Sequence, residues 1–432
     1  MEDILFYIKK IIPAPVFRFV QPVYHYILAI IGAVLYKNPS KEITVIGVTG
    51  TKGKSTVVEL VNALFEADGK RTALAGTIRF KIGEKSERNL YKMTMPGRFF
   101  TQRFLREAVD AGCDVAIMEM TSEGVKQFRH KFIHLDALIF TNLSPEHIES
   151  HGSYEKYIEA KLQLARALEL SKKRPRYMVA NADDERGELF LDADVEHKLP
   201  YSLKDLDLYT LNKDDSSLVL DETTIRVPLI GLFNIYNVLA AITAARAFGI
   251  PLNTISRALT NLQPIKGRVE RFMSPKGAKK KVTAVVDYAH TPDSLEKLYQ
   301  AFPKEKKVCV LGNTGGGRDT WKRPEMARIA ETYCDRVILT NEDPYDEDPQ
   351  KIIDDMARGI EDRSKLSIIM DRREAIRIAL TEAPDKSVVL ISGKGTDPYI
   401  MGPHNIKTPW SDARVVTQEM KTLFGENDAG TR

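Results

Sequence analysis

Between the apolar run Ile43-Thr44-Val45-Ile46-Gly47-Val48 and an amphipathic stretch from Ser55 to Asp68 lies the loop Thr49-Gly50-Thr51-Lys52-Gly53-Lys54-Ser55-Thr56. Glycines let a backbone wrap around phosphates, and a helix starting at the end of such a loop points N–H groups and its positive dipole end at the same anion. In this arrangement Lys54 reaches the β- and γ-phosphates of a nucleotide, and the Ser55 hydroxyl coordinates Mg²⁺. The spacing departs from the GxxxxGK[ST] form, because Val48 stands where the first glycine is expected and the nearest upstream loop glycine is Gly50. Nucleotide binding follows from this loop; a kinase, a switch and a ligase all remain open.

Three further groups stand where apolar runs give way to polar residues. Met118-Glu119-Met120-Thr121-Ser122 puts a carboxylate just past one run, and Thr141-Asn142-Leu143-Ser144-Pro145-Glu146-His147 puts an imidazole past the next. Tyr157-Ile158-Glu159-Ala160-Lys161 then places a lysine on a helix. A carboxylate suits Mg²⁺, while histidine alone is an unusual ligand for so hard a cation. Taken singly, His147 reads equally as a loop histidine and Lys161 as a solvated helix lysine.

The elements that position these groups alternate. Val115 to Met118 and Ala137 to Phe140 are strand runs, and the stretch from Ser55 is a helix ended by Gly69. Strands alternating with helices give a parallel sheet covered on both faces, whose ligands sit at the carboxyl ends of the strands. A hairpin-like stretch runs from about Tyr177 to Val227, followed by a helix from Asn234 to Phe248. After a hinge at Gln263-Pro264-Ile265-Lys266-Gly267, a second block has strands at Val282–Val286, Val308–Leu311, Arg336–Thr340 and Val388–Ser392. The expected fold is α/β: a P-loop-type central parallel-sheet domain over 41–265, a Rossmann-like domain over 266–432, and an apolar helical segment over 1–40.

Together these groups resemble the Mur ligase superfamily, the ATP-dependent amino-acid ligases of peptidoglycan precursor synthesis. The TGTxGKS loop, Glu119, and Asn142 followed by His147 and Ala160-Lys161 match it in order and spacing. Gly231-Leu232-Phe233-Asn234-Ile235-Tyr236-Asn237-Val238-Leu239-Ala240-Ala241 looks like the superfamily's adenine-contacting element. Within the superfamily, the tripeptide synthetases (the MurE branch) are most similar. They share Gly267-Arg268-Val269-Glu270, Asp287-Tyr288-Ala289-His290-Thr291-Pro292-Asp293, Gly317-Arg318-Asp319 with Lys322-Arg323-Pro324, and Ser392-Gly393-Lys394-Gly395.

The resemblance implies a mechanism in which ATP phosphorylates a substrate carboxylate and an amino-acid amine displaces phosphate from the acyl phosphate. It makes Lys54, Glu119, His147 and Lys161 the catalytic group. Ser55 and Glu119 would hold one Mg²⁺, and His147 with a carbamylated Lys161 the second. The carbamate turns a lysine into an oxygen-donating anion, a sensible ligand for a hard cation. Gly50, Thr51, Lys52, Gly53, Thr56, Asn142, Asn234, Asn237, Arg268, His290, Arg318 and Lys322 would contact ATP. Thr94, Pro96, Ser122, Gln127 and Arg129 would face the acceptor; Glu342, Asp343, Tyr345, Lys394 and Asp397 would face the incoming amino acid.

Three departures bear on the substrate. The superfamily's N-terminal uridine-binding domain is missing, since only about 40 apolar residues precede the loop. Where diaminopimelate-using members have D-N-P-R, this chain has Glu342-Asp343-Pro344-Tyr345, so the arginine that pairs with the distal carboxylate is absent. Asp397 and Glu123 stand where glutamate and histidine are usual. The acidic set Glu342, Asp343, Asp346 and Asp397 favours a distal ammonium, as in lysine or ornithine. Other carboxylate acceptors remain as alternatives, either folylpolyglutamate- or poly-amino-acid-type or lipid-linked, as does a non-catalytic nucleotide-binding scaffold.

With 432 residues, 43% hydrophobic and 28% charged, the chain is globular, and a net charge of +4 argues against a dedicated nucleic-acid partner. Cys113, Cys309 and Cys334 are scattered without a CxxC pair, which points to a reducing cytosol and no disulfide framework. In the N-terminal segment, Val23 to Tyr36 is shorter than the roughly 20 residues of a span. Pro13, Pro15 and Pro22 are expected to break the segment into a pair of short helices packed on the first domain. Lys9, Lys10, Arg18 and Lys37 allow weak contact with a membrane surface. The expected protein is a cytoplasmic monomer, peripheral at most to the inner face of the membrane.

Overall fold

Five of the six residues Thr44–Thr49 (β1) are buried, so this strand is covered on both faces, as an interior strand of a parallel sheet requires. Around it are β2 (Thr72–Ala75), β3 (Arg79–Ile82), β4 (Lys85–Arg88), β5 (Val115–Glu119), β6 (Ala137–Phe140), β7 (Tyr177–Asn181) and β8 (His197–Tyr201). They form an eight-stranded sheet in the order β4-β3-β2-β5-β1-β6-β7-β8. Strands β2, β5, β1, β6, β7 and β8 run parallel, and β3 and β4 add an antiparallel edge. The computed structural model describes residues 14–146, 148–317 and 319–425, with side chains from Gln21 onward.

The chain forms two compact units: residues 1–144, 154–205 and 237–258 in the first, and 145–153, 206–236 and 259–432 in the second. The first holds the eight-stranded sheet. The second holds the six-stranded order β12-β13-β17-β14-β15-β16 and the antiparallel meander β9 (Leu208–Leu211), β10 (Ser216–Leu220), β11 (Thr223–Val227). The four strands expected in this block are β13 (Val282–Val286), β14 (Lys307–Leu311), β15 (Arg336–Leu339) and β17 (Ser387–Ile391), all parallel. Two edge strands escaped the sequence reading: β12 (Glu270–Met273) and β16 (Leu366–Ile368) are short and only partly buried, so their apolar signal is weak.

Three expectations need correction. The stretch from Tyr177 is not hairpin-like throughout, because β7 and β8 extend the parallel sheet with a helix, Gly187–Leu191, between them. Only 208–227 is a meander, and its β10–β11 turn at Asp221-Glu222 takes the positive φ values (47° and 60°) that a two-residue hairpin loop demands. Among the described residues the N-terminal segment is a helix, Ala14–Leu35, that the expected break at Pro22 does not interrupt; residues 1–13 of the expected pair lie outside the described residues. Pro15 falls in its first turn, where the missing N–H costs nothing, and the helix runs on through Pro22; Pro13 lies outside the described residues. Cys309 and Cys334, 25 residues apart, form a disulfide with Cα atoms 6.2 Å apart. Strand β14 and the end of helix Lys322–Tyr333 bring them together, which no local spacing announces.

The second unit is pinned by a buried ion pair. Arg372 donates from Nε to Asp412 Oδ1 at 2.9 Å and from Nη2 to Oδ2 at 2.7 Å, and both side chains are fully buried. Trp410 Nε1 donates to the same carboxylate. Asp412→Ala takes from the buried guanidinium its directly bonded counter-charge and is expected to cost about 3–5 kcal/mol in a denaturant titration. Arg372→Met with Asp412→Leu removes both charges and should cost much less. Equal losses in the two variants would mean that packing, not charge, matters there.

Candidate active site

The loop after β1 is held on both sides. Gly50 (φ 141°) and Gly53 (φ 85°) occupy conformations that disfavour side chains, and a Cβ would strike Thr141 at the first and Asn237 at the second. Gly53 is the N-cap of helix Lys54–Ala67 and makes no side-chain cap hydrogen bond, so the cap itself does not cover the first turn. Asn142 clamps the loop from β6: its Oδ1 accepts from Lys52 N at 2.9 Å, and its carbonyl accepts from Thr51 N at 2.8 Å. Thr141 Oγ1 donates to Lys52 O at 2.6 Å. Lys54 Nζ donates back to Gly50 O at 3.0 Å and Thr51 O at 2.9 Å. The ammonium is thus folded over the hollow of the loop.

Lys161 joins the same loop. Its side chain is buried within helix Tyr154–Glu169, its Nζ donates to Gly50 O at 2.7 Å, and it lies 4.9 Å from the Tyr157 ring centroid. Tyr157 OH in turn meets Thr51 Oγ1 at 3.0 Å. His147 and Arg318 lie outside the described residues. Glu119 ends β5 in register with Val48 of β1, one residue before the loop. Its Oε1 accepts from Thr77 N and its Oε2 from Thr77 Oγ1, both at 2.9 Å. Thr77 Oγ1 also meets Thr94 Oγ1 at 2.7 Å, and Thr94, Pro96 and Glu119 line one small recess. Thr77 and Tyr157 were missed in the sequence because each acts through a neighbour and belongs to no recognisable spacing.

The Ser55 hydroxyl, in the first turn of helix Lys54–Ala67, and the Glu119 carboxylate, at the end of β5, are hard oxygen donors, a donor set that fits a Mg²⁺ ion also bound by nucleotide phosphates. Among the described residues no group of three or more His, Cys, Asp or Glu forms a ready-made metal cage.

Beyond the recess are two arginines. Arg129 Nη2 donates to Gln127 Oε1 at 2.7 Å and Nη1 to Met95 O, while Arg98 Nε donates to Gln127 O at 3.0 Å. Burial holds the pKa of each below the usual arginine range, and Arg98 further depresses that of Arg129. Neither has a carboxylate within ion-pair distance among the described residues. Ser122, buried, opens a short helix capped by Thr121, whose side chain accepts from Gly124 N. Arg98 carried no sequence signal, since its position belongs to no shared stretch.

The adjacent His130 is buried with both ring nitrogens unpartnered, and burial pushes its pKa down to about 3. The folded state keeps it neutral while the unfolded chain protonates near 6.5, so stability is full above pH 6.5 and falls as the pH drops toward 3. The loss should be about 2 kcal/mol between pH 7 and pH 5. His130→Phe should flatten that limb in denaturant titrations run at both pH values; an unchanged slope would assign it to other groups.

In the second unit, Arg268 lies 4.6 Å from the centroid of the Tyr288 ring. His290 Nδ1 meets Tyr288 O at 2.7 Å and its Nε2 meets Glu146 Oε1 at 3.1 Å. Lys322, buried, begins helix Lys322–Tyr333. Asn234 donates to Ile230 O at 2.9 Å, one turn before Asn237 on helix Leu232–Ala247. Two members of the acidic set share an internal cation. Lys394 Nζ, fully buried, binds both Asp343 oxygens at 2.8 and 2.9 Å and Asp397 at 3.1 Å. Burial raises the pKa of Glu342, and Asp343 also accepts from Met401 N. Tyr345 has φ 53° and donates its N–H to Met401 O; its side chain is half-exposed.

Residues 48–245 match the Mur ligase middle domain, and 267–395 match the Mur ligase glutamate ligase domain. The UDP-N-acetylmuramoyl-L-alanyl-D-glutamate–2,6-diaminopimelate ligase of Bacillus velezensis is 37% identical over 385 residues, covering 86% of this chain and 77% of the relative. That of Geobacillus kaustophilus is 34% identical over 386 residues, covering 86% and 78%. A solved ligase of the same name superposes with a TM-score of 0.59 at 29% identity, covering 88% of this chain and 78% of that one. The folylpolyglutamate synthase of Mycobacterium tuberculosis, at 17% identity, shares the fold with a TM-score of 0.66, over 92% and 94% of the chains. The chain belongs to the Mur ligase family and is an ATP-dependent, ADP-forming ligase that joins a carboxylate to an amine.

Proposed function

We propose that the enzyme adds a diamino acid to the free carboxylate of a UDP-N-acetylmuramoyl-dipeptide-type precursor, acting as a monomer in the cytosol. The observation that supports an anionic acceptor is the Arg98–Gln127–Arg129 group. Two half-buried guanidinium groups share one glutamine and repel one another, a cost that a bound carboxylate or phosphate removes. When bound, ATP supplies the phosphoryl group that activates the acceptor carboxylate, and Mg²⁺ neutralises charge during transfer. Lys54 would exchange the Gly50 and Thr51 carbonyls for phosphate oxygens. Ser55 and Glu119 would hold one cation, with Thr77 fixing the Glu119 carboxylate. His147 and a carbamylated Lys161 would hold a second. Thr94, Pro96, Ser122, Gln127 and Arg129 would orient the acceptor, and Arg268, His290, Arg318 and Lys322 would meet the nucleotide.

A panel of acceptors crossed with amino acids, read as phosphate release, tests this reading. Release that requires both a muramoyl-dipeptide and a diamino acid is expected. Turnover only with folate-type or other carboxylates would replace the acceptor, and binding of ATP without release under any pairing would leave a scaffold.

A further inference from the structure

Helix Ala14–Leu35 is packed the wrong way round for a helix that serves only to cover a core. Its buried face is built from small residues: Ala29 and Ala33 are each 1% exposed, and Gly32 lies against Arg98, Phe99 and Gln102 of helix Arg98–Asp110. Its large apolar residues point outward instead, with Val23 at 55%, Ile27 at 49%, Ile31 at 47% and Val34 at 65% exposed, joined by Ile30 and Leu35. These recur at spacings of three and four and make one continuous stripe opposite the packed seam. An exposed apolar patch of this continuity marks a contact surface.

We propose that this stripe lies in the headgroup–acyl boundary of an anionic lipid bilayer. Charge and polarity argue for that occupant over a protein. From Val23 to Tyr36 the sequence has no Asp, Glu, Lys or Arg; His25 is turned to the packed side, against Arg98, and the remaining polar side-chain atoms are tyrosine hydroxyls. The exposed Tyr24 and Tyr26 bring hydroxyls to this surface, amphipathic side chains that suit the headgroup level of a bilayer. The charges nearest the stripe are basic, Arg18 with Lys9 and Lys10 on its N-terminal side and Lys37 with Lys41 after it, the sign that anionic headgroups attract; Glu42 is paired with Arg106, and Glu2 and Asp3 stand further off in the sequence. The helix lies on the bilayer rather than crossing it, since its seam is occupied by helix Arg98–Asp110, and no described helix is long and apolar enough to cross a membrane. The surface also adjoins the arginine pair. Tyr26 meets Phe128 with ring centroids 6.1 Å apart, next to Arg129, and Arg98 contacts His25. Docking would therefore hold Arg98 and Arg129, the residues proposed for the acceptor, beside the lipid surface.

The test is flotation of the full chain with phosphatidylcholine vesicles, with and without phosphatidylglycerol, alongside Ile27→Glu/Ile31→Glu. The wild type should float with the anionic vesicles, more weakly with neutral ones. The double variant should bind at least about ten-fold more weakly. Its melting temperature should be unchanged, because both side chains are already exposed. A wild type that stays with the soluble fraction would overturn the proposal, as would a variant that floats equally well. A wild-type dimer in solution that the substitutions split, with no flotation, would assign the stripe to a second copy of the chain. Turnover with a soluble acceptor should be the same in both proteins, so a failure here is distinguishable from a wrong substrate.

Discussion

Lys161→Ala should lower turnover on the order of 10²–10³-fold, the scale of losing one preorganised electrostatic group at a transferring phosphoryl. Two roles would produce that loss. As an ammonium, Lys161 pins the phosphate loop through its 2.7 Å bond to Gly50 O. As a carbamate, formed when the amine nitrogen bonds to CO2 with loss of a proton, it offers two oxygens to a cation. Arginine separates them: it can still donate to Gly50 O, but its guanidinium does not form the carbamate. On the carbamate reading Lys161→Arg is as inactive as Lys161→Ala, and short carboxylates such as acetate or formate restore part of the alanine variant's turnover. Near-normal turnover in Lys161→Arg would reduce the residue to a loop pin. The position suits either role, because a lysine this deeply buried on a helix is not the solvated surface residue its sequence context also allows.

What could be read in the sequence was whatever the chain writes locally. The phosphate loop is eight consecutive residues between a strand and a helix, and its glycine conformations and the Asn142 clamp stand where that reading needs them. The parallel strands were legible because burial on both faces makes continuous apolar runs, as in β1, β5 and β17. Edge strands β12 and β16 were not, since half-buried strands of three or four residues carry too little pattern. The Arg98–Gln127 contact, the Thr77–Glu119 support and the Cys309–Cys334 bond are tertiary, joining residues 25 to 42 positions apart. The N-terminal helix failed differently. Its apolarity was plain, but which face would be buried depended on small residues that composition treats as background.

Lysine or ornithine should be the better amino acid, with kcat/KM at least about 30-fold above that for diaminopimelate, even though the relatives are named for diaminopimelate. The acidic set around a distal ammonium is a weakened ground for this preference, because Lys394 already offsets part of the charge of Asp343 and Asp397. The stronger ground is what a second carboxylate would lack. Tyr345 stands where the diaminopimelate-using pattern has arginine, and a phenol donates one hydrogen bond where a guanidinium donates a parallel pair. Among the described residues, two cations of this region are committed: Lys394 to two carboxylates, and Arg323 to Glu347 at 2.7 Å and Asp355 at 3.0 Å. Leaving a buried carboxylate without its cation typically costs about 2–5 kcal/mol, which corresponds to roughly 30-fold or more in selectivity. Tyr345→Arg should then raise turnover with diaminopimelate while leaving lysine nearly unaffected. The substitution should be tolerated sterically, since the side chain is half-exposed, while the left-handed backbone at φ 53° is held by the bond to Met401 O. A wild-type enzyme that prefers diaminopimelate, with no further gain in Tyr345→Arg, would mean that a cation other than residue 345 receives the distal carboxylate.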